Sequence, residues 1–142
     1  AYMNENNEGW VRSLTDSGTV PSGRSDTSPI TYLESVTFSE YIPSDDQCNP
    51  EGESYVWSID YVTGVASKEY YLDSVVINES SGLTEILAST LVGDGKAGEL
   101  TTLPDGNLVM HDSTGRVVII DATKGNVSLR RQSWRQIFNI GF

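Results

Sequence analysis

The sequence predicts an all-β chain of antiparallel strands, folded as part of a β-propeller or as a small β-sandwich or barrel. Short runs rich in Val, Ile, Thr and Tyr recur along most of its 142 residues, as β-strands require. Gly, Asn, Asp or Pro separates most of these runs, which is typical of sheets built from hairpins. A strand-like run that ends in Asp, with Gly four residues later, occurs twice, at 56–64 and 117–125. This echo favours a repeated β unit.

The chain is expected to form a single domain, 1–142, since 142 residues bury one ordinary core. Residues 29–142 are its best-supported part, and residues 1–28 are expected to be mostly loop or edge strand. The echoed aspartates lie 61 residues apart, which leaves room for roughly two to three blades of about 40–50 residues. A closed propeller needs about four or more. We therefore expect a piece of a larger propeller or a small independent sheet, and a first residue other than Met favours a processed or excised piece.

The charge of the chain excludes several classes of partner. Nine basic and twenty acidic residues give a net charge of −11, which repels nucleic-acid phosphates and anionic membranes. No apolar run approaches the roughly 20 residues of a membrane-spanning helix. The acidic, Lys-poor and Ser/Thr/Gly-rich composition is typical of a secreted bacterial protein, so an extracellular or cell-surface location is expected.

The strands are expected in a regular order along the chain. A short one is predicted at 10–14, and the others at 30–41, 54–61, 70–77, 84–91, 108–111, 116–120, 127–130 and 134–140. Residues 85–88 also permit a helical turn. Because residues 117–120 are all apolar, we expect that strand to be central and covered on both faces.

The central predicted element is a β-hairpin at 38–64. Apolar residues alternate along both of its strands, the period of a half-buried strand. Pro43, Pro50 and Gly52 between them exclude a helix, so an exposed acidic loop should project between strands that end near Tyr41 and begin near Ser54. The aromatic residues of these strands suit a core or a binding face, and the core is favoured.

This hairpin fits the pattern F-x-x-x-I-P-S-x-D-x-C-x-x-x-G-x-S-[YW]-x-W-x-[IL]-D-x-x-[TS]-G. The matching residues include Phe38, Ile42, Pro43, Ser44, Asp46, Cys48, Gly52, Ser54, Asp60 and Gly64. The segment resembles the C-terminal β-propeller segment of the PilY family, large proteins of type IV pilus biogenesis often described as pilus-tip adhesins. Residues 131–137 are similar to the R-x-S-W-R-E-[LI] ending of that family, and Gly9-Trp10 matches a Gly-Trp that often precedes the hairpin.

The resemblance implies a non-enzymatic role in pilus assembly or adhesion at the cell surface. The implied partners are pilin, minor pilins or the remainder of a larger pilus protein. The alternative is a secreted structural subunit that packs on a partner and on its filament neighbours, to build or coat a pilus-like filament. A carboxylate-using hydrolase is the remote third class.

The acidic loop is a weak candidate for a metal site. Asp45, Gln47, Asn49 and Glu51 alternate like the early ligands of a calcium loop, but the sixth and twelfth positions hold Pro50 and Val56 instead of Gly and Glu. A looser site could use Asp45, Asp46, Glu51 and Glu53. A solvated loop is the preferred interpretation, so no metal and no cofactor are expected.

Two further patterns lack the context that their chemistry needs. Residues 93–98 match G-x-G-x-x-G, but a dinucleotide site requires a helix to follow, and a strand and a turn are predicted there. His111 is the only histidine, and it has no G-x-S-x-G nucleophile elbow. We therefore predict no catalytic residues.

Cys48 and the C-terminal tail are the candidates for contact with another chain. The lone cysteine is either a buried, inert thiol or one half of an intermolecular disulfide. Each large apolar side chain left exposed forgoes roughly 1.5–3 kcal/mol, so the tail should be buried under its own sheet or in a partner. The partner is favoured for at least part of it. The predicted partner-binding residues are Trp134, Ile137, Phe138, Ile140 and Phe142.

Overall fold

The computed structural model describes residues 2–3, 9–14, 22–48, 51–72, 75–78 and 83–124, and every strand pairing within them is antiparallel. None of these residues is helical, so the all-β prediction is confirmed. The strands are β1 (Tyr2–Met3), β2 (Trp10–Val11), β3 (Ile30–Tyr32), β4 (Ser35–Ile42), β5 (Glu53–Asp60), β6 (Tyr70–Leu72), β7 (Val75–Asn78), β8 (Leu83–Ile86), β9 (Ser89–Asp94), β10 (Thr101–Thr102), β11 (Leu108–His111), β12 (Val117–Ile120) and β13 (Ala122–Lys124).

A four-stranded sheet in the order β3-β4-β5-β9 forms the centre of the fold. Strands β4 and β5 pair over their whole length, from Ser35 opposite Asp60 to Ile42 opposite Glu53. The predicted hairpin with an acidic loop at its tip is therefore confirmed. The other sheets are β10-β11-β12 and the pairs β13-β6, β7-β8 and β1-β2. Within the described ranges, the strands close into neither a barrel nor a propeller.

The predicted strand at 30–41 is in fact a hairpin of its own. Leu33 and Glu34 have φ angles of 45° and 61°, and Tyr32 pairs directly with Ser35. Two consecutive residues with positive φ form the tight turn that suits the twist of antiparallel strands. The turn escaped the sequence prediction because apolar residues keep the same spacing across it, although Ile30 and Tyr32 lie opposite Thr37 and Ser35, on the other face from Val36 and Phe38. Leu33 also packs against the core, which helps to stabilise its unusual backbone conformation.

In the central hairpin the Ser/Thr face is mostly buried and the apolar face is partly buried, so the expectation of one solvent-exposed face is wrong for β4 and β5. The apolar face carries Trp57 and Ile59, which are 9% and 1% exposed. The opposite face is lined mainly by Ser and Thr, yet it lies on the main core through Val56. That core contains Val56, Tyr70, Leu72, Ala97, Leu100, Leu108, Met110 and Ile120.

Small polar side chains stabilise the Ser/Thr face by hydrogen bonding inside the core. The Ser58 hydroxyl donates to the Tyr70 carbonyl (2.6 Å), and the hydroxyls of Ser35 and Ser67 are bonded to each other. Such partners are required because an unpaired buried polar group costs about 1–3 kcal/mol. Tyr70 donates its own hydroxyl to the Gly106 carbonyl (2.6 Å), and burial raises its pKa to about 12. Among the described residues, Thr37 on the same face is the exception, because its buried hydroxyl has no hydrogen-bond partner.

Strand β12 corrects the prediction of a central, fully covered strand at 117–120. Among the described residues it pairs with β11 alone, and Val117 and Ile119 are 59% and 61% exposed. Ile120 and Val118 face the core instead. An apolar run thus marked a strand here, but not one covered on both sides.

Other predicted strands differ at their ends. The strand at 84–91 is interrupted at Leu87 and Ala88, between β8 and β9, and no helical turn forms at 85–88. The strand at 70–77 is split into β6 and β7. The predicted strands at 127–130 and 134–140 lie outside the described residues.

Turns capped by aspartate confirm the predicted role of Asp60. Its carboxylate accepts hydrogen bonds from the backbone N–H groups of Val62 and Thr63, both at 2.8 Å, and Gly64 follows with φ 69°. Asp112 caps a second turn in the same way, accepting from the Thr114 N–H at 2.9 Å. Asp121 occupies the position equivalent to Asp60 in the second copy of the sequence pattern, but it is followed directly by β13 instead of such a turn.

Candidate functional site

The tip of the β4–β5 hairpin is an exposed acidic loop held by its own short side chains. The Asp46 N–H donates to the Ser44 hydroxyl (3.0 Å), and the Cys48 N–H donates to the Asp46 carboxylate (2.8 Å). The four acidic residues of the weak metal site, Asp45, Asp46, Glu51 and Glu53, are all exposed. In the described ranges, no group of three or more His, Cys, Asp or Glu residues is placed to hold a metal ion.

Removal of metal is expected to leave the stability of the fold unchanged, because the four carboxylates of the acidic loop are solvated and do not converge on one point. The measurement is the melting temperature before and after dialysis against EDTA, with added Ca²⁺ as the control. A fall of more than a few degrees on chelation, or about 1 kcal/mol, would show that a metal site stabilises the fold.

The base of the loop is joined to the Gly-rich segment 93–98. Gly52 has φ 66° and lies against the Ile42 carbonyl, where a side chain would collide. Its own carbonyl accepts from the Gly95 N–H (3.1 Å). The buried Ser54 hydroxyl donates to the Gly95 carbonyl (2.6 Å) and accepts from the Ala97 N–H (2.8 Å).

These contacts explain the G-x-G-x-x-G pattern without a phosphate. Its backbone N–H groups at Gly95, Lys96, Ala97 and Gly98 all donate to protein oxygens, whereas a phosphate loop directs them at its ligand. The segment continues into β10 and not into a helix. The predicted glycine-rich structural loop is therefore confirmed.

Replacing Ser54 with Ala is expected to destabilise the chain by roughly 1–3 kcal/mol, because it strips a partner from two buried backbone groups. Chemical denaturation with guanidinium is the measurement. Ser44→Ala is the matched control, since its hydroxyl caps an exposed loop and its loss should be nearly neutral. Equal stability of the two variants would contradict the anchoring role of Ser54.

A second contact region joins the segment at 9–14 to the turn after β5. Trp10 donates its indole N–H to the Tyr61 carbonyl (2.8 Å), and its ring lies against Gly64, where an added Cβ would be 2.5 Å from ring carbon Cδ2. Arg12 donates to the Gly64 carbonyl (3.0 Å), and its guanidinium lies 4.5 Å from the centre of the Trp57 ring. The Gly-Trp and the terminal Gly of the sequence pattern are thus in direct contact.

The buried carboxylate of Glu40 is the feature that sequence reasoning missed. Glu40 is fully buried, and its carboxylate accepts a hydrogen bond from the Trp57 indole N–H (2.7 Å). Gly23 lies so close that any side chain there would collide with the carboxylate. The alternation of the strand could have indicated its burial, because Glu40 lies on the same strand face as Val36 and Phe38.

His111 and Asp112 border a shallow pocket of about 400 Å³, with the Lys96–Asp26 ion pair on its rim. The Asp112 carboxylate accepts hydrogen bonds from the backbone and side chain of both Thr114 and Arg116. It therefore serves the turn and is not available to orient an imidazole. His111 itself is exposed at the end of β11.

Acid is expected to destabilise the chain through Asp112. The hydrogen bond from Thr114, with further help from Arg116, holds the pKa of this carboxyl well below its usual range. A lowered folded-state pKa contributes stability that is complete above the unfolded value of about 3.9 and is lost as the pH falls towards the folded value. The melting temperature should therefore fall more steeply between about pH 4 and pH 2 in the wild type than in Asp112→Asn. Parallel profiles would contradict this assignment.

The other residues predicted to make contacts differ in exposure, and some of them lie outside the described residues. Cys48 is exposed, so the buried-thiol alternative is wrong, while an intermolecular disulfide stays a prediction. Trp57 and Tyr70 are buried as core residues and Tyr61 is exposed, so the aromatic residues serve more than one role. The five predicted partner-binding residues of the tail, 134–142, lie outside the described residues.

Comparisons with known proteins return no relative for this chain. No protein-family model matches it, no curated protein matches it, and no solved structure matches it. The part of the chain that the structure describes contains no helix long and apolar enough to cross a membrane.

Proposed function

We propose that this chain is a non-enzymatic bacterial cell-surface protein that acts in type IV pilus assembly or in adhesion at the pilus tip. The proposal starts from the resemblance of the hairpin at 38–64 to the C-terminal segment of PilY-type proteins. Its partners would be pilin, minor pilins or the remainder of a larger pilus protein.

The observation that carries the proposal is the contact between the two separated parts of the sequence pattern. Gly9-Trp10 and Gly64 are more than fifty residues apart, yet the indole packs on the glycine and donates to the neighbouring turn. Within the hairpin, Gly52, Ser54 and Asp60 each have a defined backbone or hydrogen-bonding task. Pattern residues that build one structural unit support a shared fold more strongly than isolated letter matches.

The surface features support a binding role and not a chemical one. The hairpin tip presents acidic side chains and Cys48 to solvent. The Asp112 carboxylate beside His111 and the N–H groups of the G-x-G-x-x-G segment at 95–98 are occupied in structural hydrogen bonds. An exposed loop on a rigid hairpin is a common way to present a binding surface.

The alternative, a structural subunit of a pilus-like filament, is favoured by one specific observation. Strand β12 is exposed at the side of its sheet with Val117 and Ile119 in solvent, and exposed strand edges favour association with other strands. A subunit of this kind would self-associate, whereas an assembly or tip module would stay monomeric.

The deciding experiment is genetic, in the bacterium that encodes the chain. Deleting the coding region for residues 1–142 should reduce the number of surface pili or the adhesion of cells, and restoring it at the same locus should reverse the defect. Unchanged piliation and adhesion would overturn the proposal. The solution mass of the purified chain separates the alternatives, because concentration-dependent growth beyond a monomer supports the filament subunit.

A further inference from the structure

Strand β12 has a backbone edge with no partner among the described residues. The hydrogen bond from the Asp112 N–H to the Arg116 carbonyl (3.0 Å) sets the phase of the β11–β12 ladder, in which bonded and non-bonded pairs alternate. Since Val118 lies opposite Met110, the even-numbered residues of β12 are the ones whose N–H and C=O groups bond to β11. The N–H and C=O groups of Val117 and Ile119 therefore point away from β11.

Strand β9 presents a second edge of the same kind. The Ser58 N–H donates to the Ala88 carbonyl (2.8 Å), and Tyr55 lies opposite Leu91. The same alternation directs the backbone groups of Leu91 away from β5. No hydrogen bond to these groups occurs in the described part of the chain, where β9 has β5 as its one neighbour in the sheet.

The two edges border a common groove. Arg116, just before β12, reaches the Asp94 carbonyl at the end of β9 (Nη2 to O, 3.4 Å). Beyond this contact lies an open groove of about 260 Å³, lined by residues 90–92 of β9 and by residues 118–121. Leu91 and Ile119 line it and are 54% and 61% exposed.

These features suit a β-strand better than a small molecule. The groove is smaller than the roughly 300–1,000 Å³ of typical ligand sites. Unpaired N–H and C=O groups beside exposed apolar side chains are the surface to which an added strand binds. The occupant should therefore offer a strand edge and apolar side chains.

The chain itself contains a matching segment after Lys124. Residues 125–142 carry three arginines and no acidic residue, whereas residues 1–124 carry all twenty acidic and six basic residues, a net charge of −14. The segment is also apolar, with strand patterns at 127–130 and 134–140. Its charge and its apolar side chains both complement the acidic body and the groove.

The short connection favours docking within one molecule. Six residues, 121–126, separate β12 from Val127, and 122–124 of them form β13 on β6, so a return strand starts from the end of β13. A parallel crossover needs about a dozen residues or more, but an antiparallel return does not. A tethered segment also has an effective concentration of the order of millimolar, which favours its own groove over that of another copy.

We propose that the segment 127–140 docks in its own molecule, as an added antiparallel strand on the free edge of β12 that covers the groove beside β9. Docking pairs the backbone groups of Val117 and Ile119 and shields Leu91 and Ile119 from water. It assigns the apolar tail residues, Trp134 and Ile137 among them, to the chain's own sheet. It does not depend on the pilus function.

The test uses the full chain and trypsin, which cleaves after Arg130, Arg131 and Arg135. Ile119→Pro blocks the outer edge of β12 without removing a hydrogen bond to β11, because proline is tolerated where the N–H faces outwards. Release of tail fragments, followed by intact mass, should be at least about tenfold faster in this variant than in the wild type, since cleavage tracks local opening.

The matched control is Ile119→Thr, which shortens the side chain but keeps the N–H, and its tail should stay protected. Hydrogen exchange of peptides from β4 and β5 checks that each variant is folded. Should Ile119→Pro fail to fold, hydrogen exchange of the wild type decides, with peptides from 127–137 expected to be protected. Rapid exchange or cleavage of the wild-type tail, or equal rates in all variants, would overturn the proposal. Protection that appears only as the solution mass doubles would also overturn it, because the strand would then come from a second copy.

Discussion

Replacing Trp57 with Ala is expected to give the largest loss of stability of any single substitution considered, about 3–5 kcal/mol. The indole is 9% exposed, stacks on Phe38 with ring centres 6.1 Å apart, and lies under the Arg12 guanidinium. Its removal leaves a cavity and takes a hydrogen-bond donor from the buried carboxylate of Glu40. Guanidinium denaturation followed by tyrosine and tryptophan fluorescence or circular dichroism measures the loss.

Trp57→Phe separates packing from hydrogen bonding. It keeps most of the ring but removes the N–H that donates to Glu40, which should cost roughly 1–3 kcal/mol. A Trp57→Phe variant as unstable as Trp57→Ala would mean that the hydrogen bond, and not the packing, dominates. A Trp57→Ala variant with wild-type stability would show that this face of β5 is not part of the folded core.

Replacing Gly64 with Ala should be the second most damaging change. Gly64 has φ 69°, and a residue with a side chain is strained there by roughly 1–3 kcal/mol. The added Cβ would also lie 2.5 Å from the Trp10 ring, so the indole must move and its hydrogen bond to the Tyr61 carbonyl should break. The expected result is a fall in melting temperature of several degrees, together with a red shift of tryptophan emission as Trp10 becomes more exposed.

Gly115→Ala is the matched control for backbone strain. Gly115 also has a positive φ, 86°, but an added Cβ would meet no atom within 4 Å. The difference in stability between the two variants therefore measures the packing of Trp10. Equal losses, with no change in tryptophan emission in either variant, would contradict the contact between the segment at 9–14 and the turn.

The acidic hairpin and its turns could be predicted because their signals are local. Pro43 and Gly52 exclude a helix within the loop, and an aspartate followed by glycine favours a capped turn wherever the chain places it. These properties depend on the backbone of a few neighbouring residues. The structure therefore places the strand ends within a residue of the prediction, at Ile42 and Glu53.

The candidate contacts were predictable only in part, because burial depends on what the tertiary fold lays over each face. Glu40 resembles its exposed acidic neighbours in the sequence, yet Trp57 and Gly23 enclose it. Val117 and Ile119 resemble buried core residues, yet they lie on an exposed strand. In both cases the side-chain type indicated the wrong environment.

By itself the sequence determined the all-β class, the antiparallel hairpin and the aspartate-capped turns, since strand alternation and turn chemistry act over a few residues. The tertiary structure alone decided which strands neighbour one another, and hence that β9 and β12 border a shared groove, each with one neighbour in its sheet among the described residues. The physical reason is that strand pairing joins residues far apart in the chain, and the alternation of apolar residues is the same for a central strand and for an edge strand.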